Sequence, residues 1–167
     1  MLKLLEVPRV YLDLDVLSYL AGIPKDEVWK TPIVRRIVNL AGDGKIVVVM
    51  SMAAVEISFS RARLPEERRR RYLRLLTSCM EGVPHQVVEP KPEKIEELAD
   101  LYFELAGVGK YENAIHVAVA VLLQADYFLT WDEEHILKES VMKRIRSLNE
   151  ERGLKTPVFL RPEEFKP

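Results

Sequence analysis

Two carboxylates, Asp13 and Asp15, stand two positions apart in "VYLDLDVLSYL", where a short apolar run ends and an apolar helix start follows. An Asp-x-Asp at a strand end supports two chemistries. In one, the first acid attacks phosphorus as a nucleophile and the second serves as acid and base. In the other, three or four side-chain oxygens gather one or two hard divalent cations that bind a phosphodiester and activate water. The second chemistry needs acids from several strand ends. Glu56 in "VVVMSMAAVEISFS" and Asp132 in "DYFLTWD" are the candidates, with Asn113 and His116 on one face of the segment between them.

Position follows from the elements that carry these side chains. Apolar runs of strand length bounded by turn residues are "RVYLDLD", "KIVVVMS", "HQVVEP", "DYFLTW" and "TPVFLR". Between them helical periodicity predicts helices over Val16 to Leu20, Asp26 to Leu40 with Pro32 near an internal restart, Met52 to Ser60, Glu66 to Cys79, Pro92 to Ala106, Tyr111 to Gln124, and Lys138 to Arg152. Such alternation means α/β. A run apolar on both faces, such as "KIVVVM", belongs inside a parallel sheet covered by helices on each side. In such sheets ligands collect beyond the carboxyl ends of the strands, which is where Asp13 and Asp132 fall and where the helix carrying Glu56 opens.

The chain of 167 residues suits one domain, 1–167, with a core of its own. Its 25 basic and 26 acidic side chains balance, so a charged partner must be recognised by local patches. Cys79 is the sole cysteine, which excludes an internal disulfide and a cysteine-based zinc site. The start "MLKLLEVPRV" lacks the long apolar core and small-residue cleavage site of a signal peptide, and no run is long enough to span a bilayer, so the expectation is a soluble, cytoplasmic protein.

The stretches "VYLDLDVLSYL", "VVVMSMAAVEISFS", "NAIHVAVAVLLQADYFLTWD" and "TPVFLRPEEF" resemble, in order and spacing, the PIN-domain family, nearest to its single-domain ribonuclease toxins of VapC type. The resemblance implies a parallel sheet flanked by helices on both faces, a Mg2+- or Mn2+-dependent endoribonuclease, an RNA substrate, an antitoxin protein as partner, and a homodimer. Carried over, Asp13 is the first acid, Glu56 the second and Asp132 the fourth, these three being the metal ligands. Asn113 takes the place of the third acid, a departure that keeps a carbonyl oxygen but removes a negative charge. Asp15 matches a small polar residue that supports the first acid. Two alternatives stand beside this: a degenerate PIN domain that binds RNA or protein without cutting, and a phosphohydrolase of the haloacid-dehalogenase type. The latter would make Asp13 a nucleophile and put Ser51 on the phosphate, but the Gly-Thr-type turn expected after Asp15 is replaced by Val16 and Leu17.

Each acid also has an ordinary role open to it. Asp13 and Asp132 suit helix N-caps, Glu56 is a commonplace first-turn acid, and His116 reads as a buried hydrogen-bonding partner to an acid. Glu112 is a tempting substitute for the missing charge at 113, but one helical residue turns a side chain by about 100°, which points it away from the face of Asn113 and His116. The seven arginines of "RARLPEERRRRYLRLL" are either a solvated face or a phosphate-binding patch, with Arg61 and Arg63 the nucleic-acid-binding candidates because they follow the helix bearing Glu56.

Overall fold

The computed structural model describes residues 6–167. Five strands form one sheet in which every neighbouring pair is parallel: β1 (Arg9–Leu12), β2 (Val47–Met50), β3 (His85–Val87), β4 (Tyr127–Leu129) and β5 (Val158–Leu160), in the order β3-β2-β1-β4-β5. Helices α1 (Leu14–Leu20), α2 (Lys30–Gly42), α3 (Met52–Arg61), α4 (Glu66–Met80), α5 (Pro92–Leu101), α6 (Tyr111–Leu122) and α7 (Glu139–Glu150) connect them. This is the three-layer α/β/α arrangement expected from the alternation of runs. None of the described helices is long and apolar enough to cross a membrane.

The period of two in each strand sorts its side chains to two cores. Tyr11, Val49, Phe128 and Phe159 pack with α5, α6 and α7, while Val10, Leu12, Val48, Met50 and Leu129 pack with α1, α2 and the inner sides of α3 and α4. Both cores need the helices tight against the sheet. In α6 every residue from Ala114 to Val121 is buried, and the alanines at 114, 118 and 120 shorten the reach to the strands beneath.

Two local differences from the sequence reading matter below. The second helix begins at Lys30, not Asp26, because Glu27 adopts a left-handed φ of 48° that no helix continues through. Pro32 then falls in the first turn, where its missing N–H costs nothing. At the far end of α5 the chain widens into a π-helical turn, Tyr102–Ala106, which stops at Gly107 with φ 77°. The Tyr102 hydroxyl, donating to buried Asn149, fastens that turn to α7.

Strand order sets where a site can form. Progress from β1 to β2 to β3 runs toward one edge, and β4 then returns to the other side of β1, so the topology reverses between β1 and β4. At such a reversal the connections leave in opposite directions and open a crevice at the carboxyl ends. Gly109 helps hold its rim. A Cβ there would collide with His135 Nδ1, so the loop before α6 lies against the turn after β4. We expect Gly109→Ala to cost about 1–3 kcal/mol in urea denaturation, by the overpacking it forces, and His135→Ala to relieve most of that loss in the double variant.

Candidate functional site

Asp13 lies at the reversal because β1 ends there and α1 begins. Its backbone N–H donates to Leu129 C=O at 3.0 Å, joining the ends of β1 and β4, and its Oδ1 accepts from the Leu14 N–H at 2.8 Å. Asp15, one residue into the helix, turns back to the same place: its Oδ2 accepts from the Trp131 N–H at 2.9 Å. Between them sits buried Thr130. Its single hydroxyl proton faces Asp13 Oδ2 at 2.8 Å and Asp15 Oδ2 at 3.2 Å, and one proton cannot serve both. Asp15 Oδ1 is buried with no partner.

From the other side α6 contributes its first turns. Asn113 Nδ2 donates to Asp132 Oδ2 at 2.7 Å, and Asp132 Oδ1 accepts from the His135 N–H at 2.7 Å, a cap-like bond to the turn that follows. Asp13, Asp15, Glu112, Asn113, His116 and Asp132 line one cleft of about 330 Å3, walled further by Phe59, Tyr72 and Leu76. Four carboxylates from three segments therefore share it.

Glu56 is not among them. The buried face of α3 carries Ala54, Val55, Ser58 and Phe59, which leaves Glu56 exposed beside Ser60 and Arg69 in a separate groove. Glu112 holds the position the sequence reading denied it, since at the start of α6 both Glu112 and Asn113 border the cleft. Glu112 is one turn before His116, an i,i+4 spacing that could have revealed it. His116 is buried as expected, but its partners are Tyr11 and Ser58, not an acid. Ser58 Oγ donates to Ala54 C=O, so it accepts from His116 Nε2 at 2.8 Å, and Nδ1 then accepts from the Tyr11 hydroxyl at 2.6 Å. Burial lowers the imidazole to about 4, which keeps it neutral.

Electrostatics at the cleft follow from burial. Desolvation raises Asp13 to about 6, with the charge of Asp132 adding to the rise and the bonds from Thr130 and Leu14 opposing it. Asp15 is raised further, to about 8, by burial first and the charge of Asp13 second. Ser51, the phosphate holder of the phosphohydrolase reading, donates instead to Glu89 Oε2 at 2.7 Å. The same carboxylate accepts from the N–H groups of Met52 and Ala53 and so already fills that helix N-terminus.

Of the seven arginines from Arg61 to Arg74, only Arg70 forms an ion pair, with Glu66, among the described residues. Arg61 lies over the Tyr111 ring, 4.0 Å from its centroid, and Tyr111 directly precedes Glu112 and Asn113 in α6. Arg63 is exposed at a left-handed φ of 52°, with nothing tying it to the cleft.

The donor set tests well against a hard divalent cation in one respect and poorly in another. Oxygen donors, surplus negative charge and an unpartnered carboxylate oxygen at Asp15 suit such an ion. Yet among the described residues no three of the His, Cys, Asp or Glu side chains stand close enough to hold one, and Asn113 presents an N–H donor to Asp132. No protein-family model matches the chain, and no curated protein matches it closely enough to count as a relative.

A pH prediction follows. Asp15 binds its proton more tightly when folded than unfolded, so the folded state loses stability as pH rises from about 4, the ordinary carboxylate value, toward the folded value of about 8. Asp15→Asn should raise the melting temperature at pH 8 by about 3 °C or more and change it little at pH 4, measured calorimetrically in chelator.

Proposed function

We propose that the chain is a divalent-metal-dependent endoribonuclease of PIN type, a cytoplasmic protein and the toxin half of a toxin–antitoxin pair. The observation that carries the nuclease part is the convergence of Asp13, Asp15, Glu112 and Asp132 on one cleft at the β1–β4 reversal. The toxin role, an antitoxin partner and a homodimer rest on the resemblance of the four sequence stretches alone.

In this reading Asp13, Glu112 and Asp132 would hold Mg2+ or Mn2+ once their side chains draw closer together than they stand here, with the carbonyl oxygen of Asn113 as a neutral addition. Such an ion, when bound, would supply Lewis acidity toward the phosphodiester and lower the pKa of a water. Asp15 orients the site by gripping the Trp131 N–H, which fixes the approach of the Thr130–Asp132 segment to Asp13. Arg61, lying over the Tyr111 ring one residue before Glu112, is the arginine placed to meet a substrate phosphate. Phe59, Tyr72 and Leu76 limit water on the side away from the acids.

One observation favours the non-cutting alternative. The bond from Asn113 to Asp132 satisfies one carboxylate oxygen of the cluster without a cation, which is what a binding module that has given up metal would retain. Charge count separates the two, because affinity for a hard cation grows with carboxylates.

Cleavage of a single-stranded RNA with added Mg2+ or Mn2+ is the direct test. Asp13→Ala and Asp132→Ala should each reduce it by at least a hundredfold while circular dichroism stays native; full activity in either variant would sink the nuclease reading. Asn113→Asp should tighten metal binding and speed cleavage at low metal concentration, since it replaces a donor against Asp132 with a further charge. Arg61→Ala should lower the slope of log affinity against log salt by about 1, and Arg63→Ala by less.

A further inference from the structure

A second feature flanks the cleft and is not used by the acids. Tyr19, on α1 one turn after Asp15, meets the Trp131 ring edge-on at 5.4 Å between centroids, and Trp29 meets Trp131 edge-on at 6.3 Å and 73°. Lys30 Nζ lies 4.7 Å from the Trp131 centroid, 5.3 Å from Tyr19 and 5.5 Å from Trp29, and its charge is answered by Glu27 at 2.8 Å. Three rings are thus fixed around one cation.

Trp29 is nonetheless 52% exposed and its neighbour Val28 72% exposed. The turn that presents them is strained, for Glu27 holds a left-handed φ of 48° that an ordinary side chain resists. Glu27 Oε2 accepts from both the Tyr19 hydroxyl and Lys30 Nζ, and these bonds fasten the strained turn. Backbone strain spent on holding a large aromatic ring in water marks a binding surface. Continuity says for what. Trp131 gives its backbone N–H to Asp15 and directly precedes Asp132, and both acids line the cleft, so the ring that backs Trp29 is tied to the cleft through its own backbone.

We propose that Trp29 is a stacking platform for an unpaired base of a single-stranded RNA whose backbone enters the acid cleft. The proposal rests on the nuclease reading for its ligand but on the aromatic geometry for its site. A base in a duplex has both faces covered by its neighbours and cannot lie on Trp29, so the platform selects single strands, and it does so without preference for sequence because every base has a π face. Lys30 stiffens the platform: with its ammonium held against all three rings, Trp29 has little rotamer freedom left to lose on binding.

The test is binding in chelator, which stops metal-dependent turnover, to a single-stranded RNA of about twelve nucleotides and to the corresponding duplex. Trp29→Ala should weaken single-strand binding about tenfold, Trp29→Phe should retain most of it, and duplex affinity should be the same in all three proteins. With Trp131→Phe, Trp29 is the sole tryptophan, and its fluorescence should be quenched as the single strand saturates. An oligonucleotide lacking one base at the stacked position should lose the same tenfold against the native protein and nothing further against Trp29→Ala. Single-strand affinity within twofold of native in Trp29→Ala, unquenched Trp29 emission at saturation, or no RNA binding by the native protein would each overturn the proposal. Cleavage with Mg2+ or Mn2+, assayed on the same RNA, separates the two ideas: Trp29-dependent binding without cleavage overturns the nuclease reading and leaves the platform, whereas cleavage with a dispensable Trp29 does the reverse.

Discussion

Carboxylates gathered away from water and not matched by cations are the constraint around which this fold is arranged. Removing one such group from solvent costs several kcal/mol unless hydrogen bonds or counter-charges answer it. Here the answers are neutral and local: the Leu14 N–H and the Thr130 hydroxyl for Asp13, the Trp131 N–H for Asp15, the His135 N–H and the Asn113 amide for Asp132. They do not suffice, as the raised protonation of Asp13 and Asp15 and the orphaned Asp15 oxygen attest. Local order at the β1–β4 reversal is therefore maintained against electrostatic self-repulsion, which is the condition in which a functional site gains most from a positively charged ligand.

The scaffold withstands this because the parts around the cleft are cross-tied. Asp13 N–H to Leu129 C=O joins β1 to β4, and Asp15 repeats the tie two residues further on, its carboxylate accepting from the Trp131 N–H. On the opposite side the neutral His116 links β1 through Tyr11 to α3 through Ser58, so that the helix carrying Glu112 and Asn113 is registered against both. A protonated imidazole would disrupt that chain, because Nδ1 must accept from Tyr11. Burial keeps it neutral, which preserves the chain from Tyr11 to Ser58.

Strand runs and their α/β alternation were legible in the sequence because a buried parallel strand is apolar on both faces, and all five runs became strands. Asp13 and Asp132 were legible as cleft residues for the same reason, since each follows the end of such a run. Glu56 and Glu112 were not. A helix of known span still has an unknown rotation about its axis until its apolar face is matched to a partner, and α3 offered two plausible faces. It buries the one with Ser58 because that hydroxyl meets His116, a long-range bond with no local signature. For Glu112 the 100° argument was sound, but at a helix start the cleft is wide enough to be bordered by adjacent residues. The Trp29 ledge escaped notice because its cause is a single left-handed residue, Glu27, whose conformation depends on Tyr19 and Lys30.

Asn113 resolves into a choice between two ways of quieting the same charge. With its amide on Asp132, the cluster keeps one hydrogen bond, loses one carboxylate, and is stable without any ion. With an acid at that position the cluster would carry five carboxylates in place of four, and Asp132 would lose a donor in exchange for a like charge, a state that only a bound cation would make favourable. The asparagine thus gives Asp132 a neutral partner, so this corner of the cleft is hydrogen-bonded without a cation. In the RNA-binding reading proposed above, that order has a use, because a cleft already fixed has less conformational freedom to lose when a ligand arrives.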